Sequence, residues 1–240
     1  MNKAKEKLIL ALDIDNTSKA IELIELLKDY IGIFKIGKQL FTRLGPEIIR
    51  IIQKKGGKVF LDLKFFDIPN TVKKAVKEAT FHKVSMFTIH AMGGRKMIKE
   101  AVKSCIDSAN MLKIPRPLVL AVTLLTSFDE KGIHEIGISG SIEENVLKLA
   151  RLSMEAGADG VIASPKEIKL IRKECGDKFL IVTPGIRPSS INKDDQVRTM
   201  TPSEAIKEGA DYIVVGRPIL LAEDPVEEAK KIINNVKDSF

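Results

Sequence analysis

Cysteine is scarce: Cys105 and Cys175 are the only two in 240 residues. They lack any C-x-x-C spacing, which argues against a disulfide framework or a cysteine-built zinc site. Both fall in segments of helical pattern and read as small buried hydrophobes, suited to a reducing cytosol. No apolar run approaches the roughly 20 residues needed to span a bilayer, and the run that follows Lys7 is cut short by Asp13, so neither a signal peptide nor a membrane anchor is expected. The three histidines, His82, His90 and His134, are too far apart to form a helical metal pair. No metal is assigned to them, and His90, at the end of an apolar run, reads as structural. Also missing are a linker, a low-complexity tract and a G-x-G-x-x-G turn, so the dinucleotide-binding fingerprint is absent.

What is present is the balance of a folded globular protein: 44% hydrophobic, 30% charged and a mean hydropathy of +0.01. Lys+Arg 39 against Asp+Glu 32 leaves a net charge of +7. The basic residues are scattered along helical segments and interleaved with Glu, which disfavours a nucleic-acid interface. A mild positive excess suits a pocket for a phosphorylated metabolite.

Short β-branched runs at 8–13, 32–37, 58–64, 84–91, 118–125, 160–164, 179–185 and 212–217 alternate with amphipathic segments. Strand then helix, repeated about eight times in roughly 240 residues, predicts an α/β protein with a parallel sheet, a (β/α)8 TIM barrel forming a single domain over 1–240. An open doubly wound sheet is the competing fold. Closure is favoured by an internal echo, in which E-A-G-A-D-G-V-I-A-S at 155–164 resembles K-E-G-A-D-Y-I-V-V-G at 207–216. Irregular stretches at roughly 126–141 and 185–201 follow strands, where a barrel places its active-site loops.

The most informative segment is Asp62-Leu63-Lys64-Phe65-Phe66-Asp67-Ile68-Pro69-Asn70-Thr71. Strand alternation puts Phe60, Asp62 and Lys64 on one face and Val59, Leu61 and Leu63 on the other. The aliphatic face meets the helices, which turns Asp62 and Lys64 into the barrel near its C-terminal mouth. Charges there are costly unless paired. Asp13 ends the first strand, and Lys35 lies in the second in phase with Ile33 and Gly37, so several strands aim charges at one rim. Taken singly, Asp13 suits a helix cap nearly as well, and Asp62 with Lys64 suits a structural ion pair.

The pattern D-x-K-x-x-D-I-P-x-T at 62–71 resembles the signature of the orotidine 5′-phosphate decarboxylase family. The likeness extends over nearly the whole chain through A-L-D at 11–13, F-K-I-G at 34–37, V-T-x-L-T-S at 122–127, T-P-G-I-R at 183–187, D-Q-V-R at 195–198 and V-V-G-R at 214–217. The resemblance implies a cytoplasmic, cofactor-independent enzyme, without a metal, that converts orotidine 5′-phosphate to UMP. It implies an alternating charge network of Lys35, Asp62, Lys64 and Asp67, with Lys64 as the catalytic lysine. It further implies a homodimer in which Asp67, Ile68 and Thr71 reach the partner subunit's site. Asp13 and Lys35 would meet the ribose, Thr126 and Ser127 the pyrimidine, and Gln196, Gly216 and Arg217 the phosphate. Pro184 and Arg187 stand in the T-P-G-I-R segment that begins the loop closing over the phosphate. Neither nucleic acid nor membrane is expected as a partner.

The chemistry suits these groups. Loss of carbon dioxide leaves an electron pair that the pyrimidine ring cannot delocalise, and the sequence carries no cofactor signature to act as an electron sink. A fixed ammonium beside that carbon supplies electrostatic stabilisation and then a proton. The Gly216-Arg217-Pro218 turn follows the last strand and opens a helix, a setting that favours an anion. The alternative is a magnesium-dependent sugar-phosphate decarboxylase or aldolase of the same barrel superfamily, such as hexulose phosphate synthase, which shares the D-x-K-x-x-D strand end.

Overall fold

Eight strands form where the apolar runs lie: β1 (Leu8–Ala11), β2 (Ile33–Ile36), β3 (Lys58–Phe65), β4 (Met86–His90), β5 (Leu118–Val122), β6 (Gly160–Ile162), β7 (Leu180–Thr183) and β8 (Tyr212–Val215). The computed structural model describes residues 2–188, 199–237 and 239. All pairings are parallel, each strand bonds the next, and β1 pairs with β8 to close the barrel in the order β1 to β8. The competing open sheet is thereby excluded. Parallel neighbours need crossovers, and helices supply them.

Because both faces of each strand are covered, the strands read as near-continuous apolar runs, and the alternation sorts them into two cores. Ile9, Ala11, Ile33, Phe60, Met86, Leu120, Val182 and Val214 fill the barrel interior. Their neighbours Leu8, Leu10, Phe34, Val59, Leu61, Phe87, Val119, Ile181 and Val215 pack outward against the helices. Lys35 is in phase with Ile33, and Asp62 with Phe60, so both are carried on the inner face at the C-terminal end.

The Gly-Ala-Asp echo has a physical role at the opposite end. Asp159 accepts the amide of Val119 at 2.7 Å and pairs with Arg116, tying β6 to β5. Asp211 accepts the amide of Ile181 at 2.8 Å and pairs with Arg172 at 2.7 Å, tying β8 to β7. Gly157 and Gly209 take the positive φ values, 94° and 111°, that end the preceding helices. Replacing Asp211 with Ala strands the Ile181 amide and removes the charge partner of Arg172, which keeps the Gly176, Phe179 and Gly209 carbonyls. Urea denaturation is expected to register a loss of about 2 kcal/mol.

One alternative falls and one local expectation is corrected. Asp13 does not cap the helix after β1: Asn16 does, its side chain accepting the Lys19 amide at 3.0 Å. The stretch 126–141 is not wholly irregular, since Asp129 caps a short helix over Glu130–Glu135 and Ser141 with Glu144 forms a capping box on the helix Ile142–Glu155. Among the described residues no helix is long and apolar enough to cross a membrane.

Candidate active site

The strand ends converge on a cavity of about 430 Å³ lined by Asp13, Lys35, Asp62, Lys64, Thr126, Pro184, Arg187, Gly216 and Arg217, with Phe60, Val122, Ile162 and Val214 among its apolar lining. Nine of the residues singled out from the sequence thus meet around one space. Asp67, Ile68, Thr71 and Ser127 stand exposed outside that lining. Gln196 lies outside the described residues.

The charges in the lining alternate. Lys35 Nζ lies 3.1 Å from Asp13 Oδ1 and 3.5 Å from Asp62 Oδ2, and Lys64 Nζ lies 2.8 Å from Asp62 Oδ1. The order Asp13, Lys35, Asp62, Lys64 gives every cation a carboxylate neighbour, which offsets the cost of burying charge. Only 12% of the Asp62 side chain is exposed. Burial alone would push its carboxyl up. Lys35 and Lys64, with hydrogen bonds from Lys64 and Thr88, outweigh burial and hold it below the ordinary carboxylate range. Asp62 therefore stays ionised through neutral pH. Because its folded value is depressed, its stabilising contribution is complete above the unfolded carboxylate value and is lost as pH falls through the folded one.

The lysine is aimed by the backbone as well as by its partner. The pairing of β3 with β4 passes from Leu61 opposite Phe87 to Phe65 opposite Ile89, so three residues of β3 face one of β4. Within this bulge Lys64 adopts φ 53°, a left-handed conformation that costs a side-chain-bearing residue roughly 1 kcal/mol. Leu63 and Phe65 still pack outward, so the expected alternation survives. What the sequence did not reveal is the bulge that gives the two charges room.

Gly37 permits the Asp13–Lys35 contact. A Cβ there would sit 2.8 Å from Asp13 Oδ1 and 3.3 Å from Lys35 Nζ. Both atoms end flexible side chains, so Gly37→Ala is expected to leave the melting temperature nearly unchanged.

Asp67 does not join the charge chain formed by Asp13, Lys35, Asp62 and Lys64. Its carboxylate accepts the amide of Ile68 at 2.6 Å, and the position opposite Lys35 is filled by Asp13. His90, at the end of β4, accepts the Met92 amide on Nδ1 at 3.3 Å, and its ring lies 5.3 Å from that of Phe66. Burial, then the charges of Lys64 and Lys38, push its pKa down, so it is neutral at pH 7. Arg187 is buried, 6% exposed, with Nη1 donating to the Ile186 carbonyl at 2.9 Å, while Arg217 begins the short helix Arg217–Leu220. One residue that sequence reasoning passed over is Thr88, buried in β4. Its hydroxyl donates to Asp62 Oδ1 at 2.9 Å and accepts the Lys64 amide at 2.9 Å. A lone threonine in an apolar strand carries no signal of such a role.

A closed parallel (β/α)8 barrel with charged and basic side chains around a cavity at the C-terminal mouth defines a barrel of enzyme type. Known proteins narrow the class. The profile of the orotidine 5′-phosphate decarboxylase / HUMPS family matches residues 6–232. The orotidine 5′-phosphate decarboxylase of Geobacter sp. (strain M21) is 50% identical over 234 residues, covering 98% of this chain and 97% of that relative. The enzyme of that name from Moorella thermoacetica is 46% identical over 235 residues, covering 98% and 93%. Among solved structures, orotidine 5′-phosphate decarboxylase from Lactobacillus acidophilus superposes with a TM-score of 0.81 at 38% identity, covering 95% of this chain and 98% of that one. An uncharacterized conserved protein from Geobacillus kaustophilus gives 0.83 at 34% identity, covering 95% and 99%. The chain belongs to the orotidine 5′-phosphate decarboxylase / HUMPS family.

Proposed function

We propose that the chain, acting as one decarboxylase domain over 1–240 in the cytoplasm, converts orotidine 5′-phosphate to UMP and carbon dioxide without a cofactor, the last step of de novo UMP synthesis. The observation that carries this reading is the alternating Asp13–Lys35–Asp62–Lys64 chain lining the mouth cavity. The bond from C6 to the carboxylate breaks, carbon dioxide leaves, and the electron pair stays on C6. The Lys64 ammonium, fixed beside that carbon, stabilises charge that appears mainly in the transition state and then passes a proton from Nζ to C6. Asp62 orients Lys64 through the 2.8 Å contact between Oδ1 and Nζ and offsets the cost of holding its charge in the cavity.

The remaining residues bind. Asp13 and Lys35 hold the ribose hydroxyls, Thr126 and Ser127 the pyrimidine, and Pro184 shapes the wall. Gln196, Gly216 and Arg217 take the phosphate, whose remote binding energy is spent on the chemistry, and Arg187 begins the loop that closes over it. Asp67, Ile68 and Thr71, exposed on the rim that follows β3, contribute to the site of a second copy in a homodimer. An exposed Ile68, 68% accessible, beside an exposed Phe66 suits such a contact. Neither nucleic acid nor membrane is a partner.

The family name also covers sugar-phosphate enzymes, whereas the curated relatives near 50% identity carry the decarboxylase name. Following the loss of orotidine 5′-phosphate absorbance in excess EDTA and again with magnesium separates the two. Equal rates are expected. A reaction seen only with magnesium, or only with a hexulose phosphate, would contradict the reading.

A further inference from the structure

We propose that Thr88 is a positioning residue for the decarboxylation, its one hydroxyl fixing both the Asp62 carboxylate and the Lys64 backbone. The inference rests on the function assigned above. Thr88 lies in β4, fully buried, and does not line the cavity, so it acts through its neighbours and not on substrate. The ladder between β3 and β4 passes from Leu61 opposite Phe87 to Phe65 opposite Ile89, which leaves Asp62, Leu63 and Lys64 facing Thr88 alone. The backbone of β4 cannot satisfy three residues with one. The Thr88 side chain makes up the difference, with Oγ1 2.9 Å from the Lys64 amide nitrogen and 2.9 Å from Asp62 Oδ1.

The direction of both bonds is fixed by chemistry. An ionised carboxylate only accepts and an amide N–H only donates, so the hydroxyl proton is committed to Asp62 and an oxygen lone pair to Lys64. The same Asp62 oxygen takes Lys64 Nζ at 2.8 Å. Backbone amide, hydroxyl, carboxylate and ammonium therefore close a ring through Thr88, Asp62 and Lys64. That ring pins the left-handed Lys64 backbone and the rotamer of its side chain together. Removing the hydroxyl leaves the ammonium with its charge partner but without a fixed position.

Thr88→Val keeps the shape and removes the hydroxyl, whereas Thr88→Ser keeps the hydroxyl. With wild type beside them, Thr88→Val is expected to lose about ten- to a hundredfold in kcat, the rate equivalent of one charge-assisted hydrogen bond. KM and UMP affinity, set by ribose and phosphate contacts, should change little, and Thr88→Ser should recover most of the rate. A Thr88→Val kcat equal to wild type, or a Thr88→Ser variant as slow as Thr88→Val, would overturn the proposal. Amide hydrogen exchange at Lys64 tests it without catalysis: exchange should accelerate in the Val variant and not in the Ser variant. Unchanged exchange in the folded Val variant overturns the positioning role. Accelerated exchange in Thr88→Val beside a folded wild type that turns over no orotidine 5′-phosphate would instead fault the assigned reaction and leave the positioning in place.

Discussion

Lys64→Ala is expected to reduce turnover by roughly 10⁴-fold or more, the combined worth of a fixed charge at the developing carbanion and a positioned proton donor. The wild-type ammonium is held 2.8 Å from Asp62 Oδ1 and points into the cavity. Its removal also leaves Asp62 with Lys35 and Thr88 as partners, so the carboxylate does not become an unpaired buried charge. The fold should survive, and UMP binding by calorimetry should remain measurable. Turnover near wild type in the purified variant would remove Lys64 from the chemistry. Loss of both turnover and the folded state would instead give the lysine a structural role.

Arg217→Ala should raise KM for orotidine 5′-phosphate by about ten- to a hundredfold, since a guanidinium bound to phosphate supplies charge-assisted, bidentate hydrogen bonds. Part of that energy is spent on the reacting centre, so kcat should fall as well, though less. The control is orotidine, the same nucleoside without phosphate. Wild type and variant should process it equally slowly, because the contact that was deleted has nothing to bind. An unchanged KM for the phosphorylated substrate, or an equal loss with orotidine, would place the arginine outside the phosphate site.

The barrel was legible because its strands are buried on both faces, and eight apolar runs separated by helical pattern leave little freedom once the crossovers must be right-handed. The charged residues Lys35, Asp62 and Lys64 were legible for the opposite reason: each interrupts such a run in phase with a core residue, Ile33 or Phe60, and so has to face the barrel interior. Cap identity was harder. Asp13 and Asn16 both precede the helix Thr17–Leu27, and the capping oxygen proved to be that of Asn16, which leaves Asp13 to the lysine. Register is a relation between two strands, so the bulge opposite Thr88 was written in neither β3 nor β4 alone. Thr88 was hidden with it, since a hydroxyl amid Phe87 and Ile89 looks like an ordinary strand residue. Asp67 carries the family pattern, but within this chain its carboxylate turns to the Ile68 amide. Its assignment therefore depends on a second chain that sequence pattern alone does not bring into contact.

The most direct test uses orotidine 5′-phosphate labelled in its carboxyl carbon, with wild-type protein and Lys64→Ala run side by side in excess EDTA. The wild type is expected to release labelled carbon dioxide and form UMP in equal amounts, while the variant releases none above the uncatalysed background. Intact substrate recovered from folded wild-type protein, or equal release by the two proteins, would contradict the account of a metal-free decarboxylase driven by Lys64.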